Sequence, residues 1–323
     1  IFMDTSNVPI LSIIAPCYNE EEVLRDTLST LTRLLLRMID QNEVDSKSYI
    51  CLVNDGSRDE TWNIIQESQK KFLGSDGQEV IRGINLSRNF GHQSALLAGM
   101  FTLDADIYVT IDADLQDDEE AIVTMVAEWK KGNDVVYGCR SSRTTDSFCK
   151  RSTALLFYKL MEIGGAKTVY NHADFRLLSR RAVNELKNFK ETTFFLRGVI
   201  PLLGFPSSKV YYARKKRLAG ETKYPLKKML EFAWLGISSF TDVPLKLSIY
   251  LGMIICVCSC LLGVWSFICW MLGDTIQGWT SLIIVFSFLG GLQIFLLGIV
   301  GSYIGKIFMG MKSRPVFIIQ DNI

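Results

Sequence analysis

The chain has 323 residues, enough for one large domain or two smaller ones, and its 35 basic and 34 acidic residues leave a formal charge of +1. That balance excludes nucleic-acid binding carried by bulk charge. The 48% apolar content is unevenly spread: the first two-thirds read as soluble and the last third does not.

The N-terminus, IFMDTSNVP, lacks the basic-then-apolar pattern of a secretory signal, and Ile1 and Phe2 read as an addition ahead of Met3. ILSIIAP then reads as a strand. Glu20 to Met38 reads as a helix, with Val23, Leu24, Leu28, Leu31, Leu34 and Leu35 on one side. YICLVND, VIRGINL, DIYVTIDAD and DVVYGCR read as four more strands. SRDETWNIIQESQKKF, GHQSALLAGMFTL and DEEAIVTMVAEWKKG are the helices between them. This alternation predicts an α/β domain with a mostly parallel sheet covered on both faces. Ligands of such sheets bind beyond the carboxyl ends of the strands.

Further on, YPLKKMLEFAWLGISSFTDVPLK, bracketed by Pro225 and Pro244, puts Leu226, Met229, Leu230, Ala233 and Trp234 on one helical face beside Lys227 and Lys228. It reads either as a core-packed helix or as an interfacial helix on an anionic leaflet. Leu247 to Leu272 is 26 residues without a charge, and Ser281 to Gly305 is 25 more. At 1.5 Å per residue each exceeds a hydrocarbon core of ~30 Å. Lys246 precedes this pair; Lys306, Lys312 and Arg314 follow it. The positive-inside rule then places both the N-terminal domain and the C-terminal tail in the cytoplasm of a multi-pass protein. The domain expectation is 1–224 soluble, 225–244 juxtamembrane, 245–308 transmembrane and 309–323 tail. Gly290, Gly291 and Gly298 mark an expected self-association face. The eight cysteines show no CxxC spacing and read as reduced thiols.

Polar residues gather at the strand ends: Pro16 to Glu20, Asn54 to Ser57, Ser87 to Gly91, Asp112 and Asp114, and Arg140. Ser57, with Glu60 three residues on, reads as a capping box. Carboxylates at successive strand ends point to a shared ligand site. No GxGxxG follows the first strand and no GxxxxGK[ST] occurs, which excludes a dinucleotide fingerprint and a P-loop.

TIDADLQDDEE, Thr110 to Glu120, concentrates six acids in eleven residues. Counted from Asp112 as a calcium loop, position six is Asp117 and position twelve is Val123, so the required Gly and Glu are both missing. Asp117 to Glu120 read as the acidic start of the next helix. Asp112 and Asp114, two apart on an extended segment, share one face and suit Mg²⁺ or Mn²⁺ on substrate phosphates.

Together SIIAPCYNEEE, VNDGSRDET, NLSRNFGHQSALLAGM and DADLQDD resemble family 2 glycosyltransferases, which have a GT-A fold and use nucleotide-sugar donors. ADFRLLSRRAV, FLRGVIPLLGF, RLAGETKY and the C-terminal hairpin are similar to the polyprenyl-phosphate branch of that family. This branch contains dolichol-phosphate mannose synthase and the bactoprenol glucosyltransferases (GtrB). The resemblance implies that Pro16, Tyr18, Glu20 and Asp55 hold the base and ribose, with Asp112 near the ribose or a metal-bound water. It implies that Asp114 and Gln116 hold the metal, that Arg140, Lys150 and Arg151 face the acceptor phosphate, and that Arg217 and Lys223 cover the phosphates. GETKY stands where GxSKY is commoner, keeping a hydroxyl. The implied reaction is single-displacement, inverting transfer from a nucleotide sugar to polyprenyl (undecaprenyl) phosphate, for cell-envelope glycosylation. UDP-glucose is the first expected donor, ahead of UDP-N-acetylglucosamine and GDP-mannose.

Asp174 reads equally as a strand-end cap or as a site residue orienting sugar or acceptor. His92 and His172, the only histidines, are not at metal-ligand spacing, and His92 reads as a positioning residue. The other classes weighed are a processive polysaccharide synthase, which lacks support because no QxxRW follows, and a non-catalytic membrane scaffold or flippase subunit.

Overall fold

The structure, a computed structural model, describes residues 8–72, 79–141, 172–189, 194–213, 243–272, 278–312 and 314–323. Lys150, Arg151, Arg217, Lys223 and the juxtamembrane stretch 225–242 lie outside the described residues. The described residues fall into two compact units, 8–213 with 314–323, and 243–312.

The first unit is built on an eight-stranded sheet. Its elements are β1 (Leu11–Cys17), α1 (Leu24–Asp40), β2 (Tyr49–Asn54), α2 (Thr61–Lys71), β3 (Ile81–Leu86), α3 (His92–Thr102), β4 (Ile107–Thr110), α4 (Ala121–Lys130) and β5 (Val135–Arg140). They continue with β6 (His172–Ser179), α5 (Arg180–Leu186), α6 (Leu196–Leu202) and β7 (Ser207–Tyr212), and end with β8 (Ile319–Asn322). Every residue of β1, β2 and β4 is buried, which is why these strands read as unbroken apolar runs rather than alternating ones. Helix α1 covers them with Leu24, Leu28, Leu31, Leu34, Leu35 and Met38, all fully or nearly fully buried. Each such side chain contributes about 2 kcal/mol of burial. The helix begins four residues later than Glu20, because the Glu20 carbonyl first accepts from Val23 and Leu24 in a preceding turn.

The strand order is β7-β5-β6-β4-β1-β2-β3-β8. Pairings β1–β2, β1–β4, β2–β3 and β5–β7 are parallel, whereas β4–β6, β5–β6 and β3–β8 are antiparallel. The expected five strands are all present, but β5 does not neighbour β4. Strand β6 is inserted between them and faces the other way. The tail is not a free segment either: β8 covers the β3 edge, with Gly83 and Ile323 exchanging backbone hydrogen bonds of 2.7 and 2.9 Å. Covering an edge this way removes a template for unwanted pairing. Cys17, Cys51 and Cys139 are buried free thiols, and burial pushes Cys51 up to about 12, which leaves it inert.

The second unit contains α7 (Val243–Met271) and α8 (Trp279–Met311). Within α8, Phe288–Met311 is long and apolar enough to cross a membrane. Large apolar side chains on both helices are exposed, among them Trp265, Met271, Phe286 and Phe295. A surface of this kind fits lipid rather than water.

Candidate active site

The loops after β1, β2 and β3 are laced into one floor. Asp55 follows β2 and is almost fully buried. Its Oδ1 accepts from the Phe90 N–H at 2.7 Å and its Oδ2 from the Gly91 N–H at 2.9 Å. Burial raises the Asp55 carboxyl above its ordinary value, and the two N–H groups pull it back down. Gly56 has φ +64°, and a Cβ there would lie 2.5 Å from the Arg88 carbonyl carbon, so only glycine lets the two loops touch. Ser57 is not the helix cap its spacing suggests. Its hydroxyl accepts from the Asn19 N–H at 3.0 Å, while Asn19 Oδ1 accepts from the Arg58 N–H at 2.9 Å. Helix α2 starts after Glu60 instead. Around this floor Pro16 is buried, Glu20 is half-buried and Tyr18 is 40% exposed, its ring free to meet a ligand.

The second half of the site lies where β4 meets β6. Thr110 pairs with Arg176 in an antiparallel register. Two residues further along each strand, that register brings Asp112 opposite Asp174. Between them sits His92, the first residue of α3, with Nε2 at 3.5 Å from Asp112 and 3.8 Å from Asp174. Asp174 is nearly buried and is gripped from two sides. Arg176 donates to Oδ1, and Arg197 of α6 donates through Nε to Oδ1 at 3.3 Å and through a terminal nitrogen to Oδ2 at 3.0 Å. Burial would raise the Asp174 carboxyl, but Arg197, Arg176 and His92 hold it well below the usual carboxylate range. Asp112 shows the opposite outcome. Desolvation, reinforced by Asp117, Asp174 and Asp114, pushes it up to about 6 against the opposing pull of His92.

Past β4, Asp112, Asp114 and Gln116 are half-exposed while Ile111, Ala113 and Leu115 are buried, but the expected extended segment gives way to a turn at Ala113 and Asp114, with Leu115 at φ +51°. Asp114 Oδ1 accepts from the Gln116 N–H at 3.2 Å. Asp117 departs from expectation. It is 1% exposed, accepts from the Tyr212 hydroxyl at 2.6 Å and lies 3.7 Å from Arg140, and α4 begins only at Ala121. Asp117 is therefore an internal anchor rather than part of a helix start. Arg140 ends β5 directly beside Tyr212, the last residue of β7, so this guanidinium faces Asp117 and Tyr212.

The donor set fits a divalent cation completed by substrate. Among the described residues, no group of three or more His, Cys, Asp or Glu stands ready to hold a metal. The exposed face offers the hard oxygens of Asp112, Asp114 and Gln116, crowded by further carboxylates that an added positive charge would relieve. Mg²⁺ and Mn²⁺ take few protein ligands and fill the rest from phosphate and water.

Residues 12–187 match the family model described as glycosyl transferase family 2. The chain belongs to the family 2 glycosyltransferases. As a glycosyltransferase with this sheet it has the GT-A fold that its motifs imply. It is 46% identical to the uncharacterized glycosyltransferase YkoT of Bacillus subtilis, covering 98% of this chain and 92% of the relative. It is 35% identical to the SfII prophage-derived bactoprenol glucosyl transferase of Shigella flexneri, covering 97% and 98%. The identity to a bactoprenol glucosyl transferase homolog of Escherichia coli is also 35%, over 96% of this chain and 98% of the relative.

Sequence reasoning placed Asp112, Asp114 and Gln116 beyond the end of β4, as the structure does, and left Asp174 open between a strand-end cap and a site residue. It missed Arg176, Arg197 and Tyr212. Arg176 had a signal, since it stands two residues from Asp174 in an extended run and must share its face. Arg197 had none, because only the packing of α6 carries it there.

Proposed function

We propose that this glycosyltransferase moves a sugar, glucose from UDP-glucose in the first instance, to polyprenyl (undecaprenyl) phosphate at the cytoplasmic membrane face, with divalent-metal dependence and inversion. The observation that carries this reading is end-to-end similarity to a bactoprenol glucosyl transferase, which includes the apolar helices as well as the sheet domain. A soluble acceptor would give no reason for α7 and α8 to accompany the domain.

The residues suit the chemistry. A phosphate monoester is already anionic at neutral pH and attacks the anomeric carbon without a strong general base. One phosphate oxygen forms the new C–O bond as the bond to the nucleoside diphosphate breaks, and the diphosphate leaves with the electron pair. Tyr18 and the Asp55 floor form the base end of the donor site. Asp114 and Gln116 would hold the cation that neutralises the leaving diphosphate. Asp174 and its two arginines line the side from which sugar and acceptor meet. Arg140 contributes positive field near that side while tied to Asp117. Lys150, Arg151, Arg217 and Lys223 are proposed phosphate contacts on sequence grounds.

Lys246 in the first turn of α7, with Lys306, Lys312 and Arg314 at the far end of α8, supports a cytoplasmic sheet domain. The β3–β8 pairing supports an even number of crossings, since a chain that begins and ends in one sheet returns to the side it left. The test is incubation of the membrane-embedded full chain with labelled UDP-glucose, UDP-N-acetylglucosamine or GDP-mannose, each with Mg²⁺ or Mn²⁺ and undecaprenyl phosphate. Label in the lipid fraction from UDP-glucose alone is expected. Transfer from another donor replaces the sugar, and no labelled lipid from any donor overturns the reading. In sealed cells the tail should resist added protease, and in inverted vesicles it should be cut.

A further inference from the structure

We propose that His92 is a positioning residue that fixes the distance between Asp112 and Asp174, and so between the donor and acceptor halves of the site. The inference deepens the transferase reading and rests on it. His92 is placed by its neighbours. Asp55 holds the N–H groups of Phe90 and Gly91, and Gly91, at φ +95°, precedes the first turn of α3. On the other side Gln93 Oε1 accepts the Leu196 N–H at 3.1 Å, which seats the start of α6 and brings Arg197 onto Asp174. The first turn of α3 therefore touches the base-end floor, both facing carboxylates and the helix carrying Arg197.

The carboxylates need such a mediator. Asp112 and Asp174 come from antiparallel neighbours and face each other across the strand ends, where like charges repel. Arg176 and Arg197 satisfy Asp174, and the imidazole Nε2 lies within 4 Å of both acids. These contacts are longer than a formed hydrogen bond, and they have room to shorten when substrate closes the site. An N–H at Nε2 shared between the two acids holds them at one spacing. The role needs a donor at that point and does not need a group that takes up a proton.

That distinction makes the proposal testable in the full-length, membrane-embedded protein. His92→Phe keeps the ring and removes the donor. His92→Gln places an amide N–H near the Nε2 position and cannot act as a base. For His92→Phe, kcat should fall about 100-fold, the scale of a misplaced reacting group, with donor KM nearly unchanged. His92→Gln should recover most of the loss, and thermal unfolding should stay close to native for both. Near-native kcat in His92→Phe overturns the proposal. So does a His92→Gln variant as slow as His92→Phe, which would make the imidazole itself the reacting base. A loss of kcat matched by a large fall in melting temperature in both variants overturns it in favour of a purely structural histidine. Absence of transfer by the native chain would instead remove the transferase reading beneath it.

Discussion

Asp55 accepts the backbone N–H groups of Phe90 and Gly91 with its two separate oxygens, 2.7 and 2.9 Å away, and so pins the β3–α3 loop to the end of β2. A charge-assisted hydrogen bond is worth about 1.5–3 kcal/mol. Asp55→Ala should remove two and leave both N–H groups without their acceptor, lowering the melting temperature of the detergent-solubilised chain by several degrees. Asp55→Asn keeps one acceptor oxygen and should fall between. Hydrogen exchange at Phe90 and Gly91 should accelerate in the same order. Unchanged exchange would mean that the loop is held elsewhere.

Asp112 gives a pH signature. Its folded value, about 6, lies above the usual carboxylate range, so the protonated form suits the metal-free fold better. The stability that this carboxyl contributes is present at acid pH and is lost as pH rises through about 6. In metal-free protein a carboxyl carbon resonance that disappears in Asp112→Asn should titrate near pH 6. Adding Mg²⁺ should move that titration lower, because cation and proton compete for the site. Titration together with ordinary surface carboxylates would contradict the arrangement.

Asp114 carries the metal expectation most directly. Asp114→Asn should abolish metal-dependent transfer while the protein still partitions with membranes. Its side chain is half-exposed and accepts from the Gln116 N–H, and Asn keeps an acceptor oxygen for that bond. Transfer at the native rate would move the cation to other ligands.

Asp174 combines structure and turnover. Asp174→Asn takes the carboxylate from Arg176, which is 1% exposed, and should cost about 3 kcal/mol, the scale of breaking a buried ion pair. Its folded value is depressed, so its stabilising share is complete above the ordinary carboxylate range. That share is lost only as pH falls through the lowered value. The variant should therefore lose stability at neutral pH and show a smaller further loss on acidification. Turnover should fall more than donor affinity; equal turnover would make Asp174 a brace for Arg176 alone.

Much of this was legible in the linear chain because it is local. The apolar runs of β1, β2 and β4 and the stripe from Leu24 to Leu35 are periodic signals that neighbouring residues carry unaided. The Asp112–Asp114–Gln116 spacing was legible too, but β4 ends at Thr110 and Leu115 has φ +51°, so a turn rather than a continued strand leaves these three side chains half-exposed. Family membership and the apolar helices follow from the same kind of signal, motif order and hydrophobic length.

Tertiary structure alone decided which strand lies beside which. Nothing local to HADFRLLS says that it inserts antiparallel between β4 and β5, yet that insertion sets Asp174 opposite Asp112. Nothing in DDEE says that Asp117 turns inward to Tyr212, 95 residues away, while its acidic neighbours stay near the surface. The tail reads as a free end until β8 covers the edge of β3. Periodicity reports how a segment meets a core, whereas partner choice depends on the energy of long-range pairs that exist only once the sheet has closed around them.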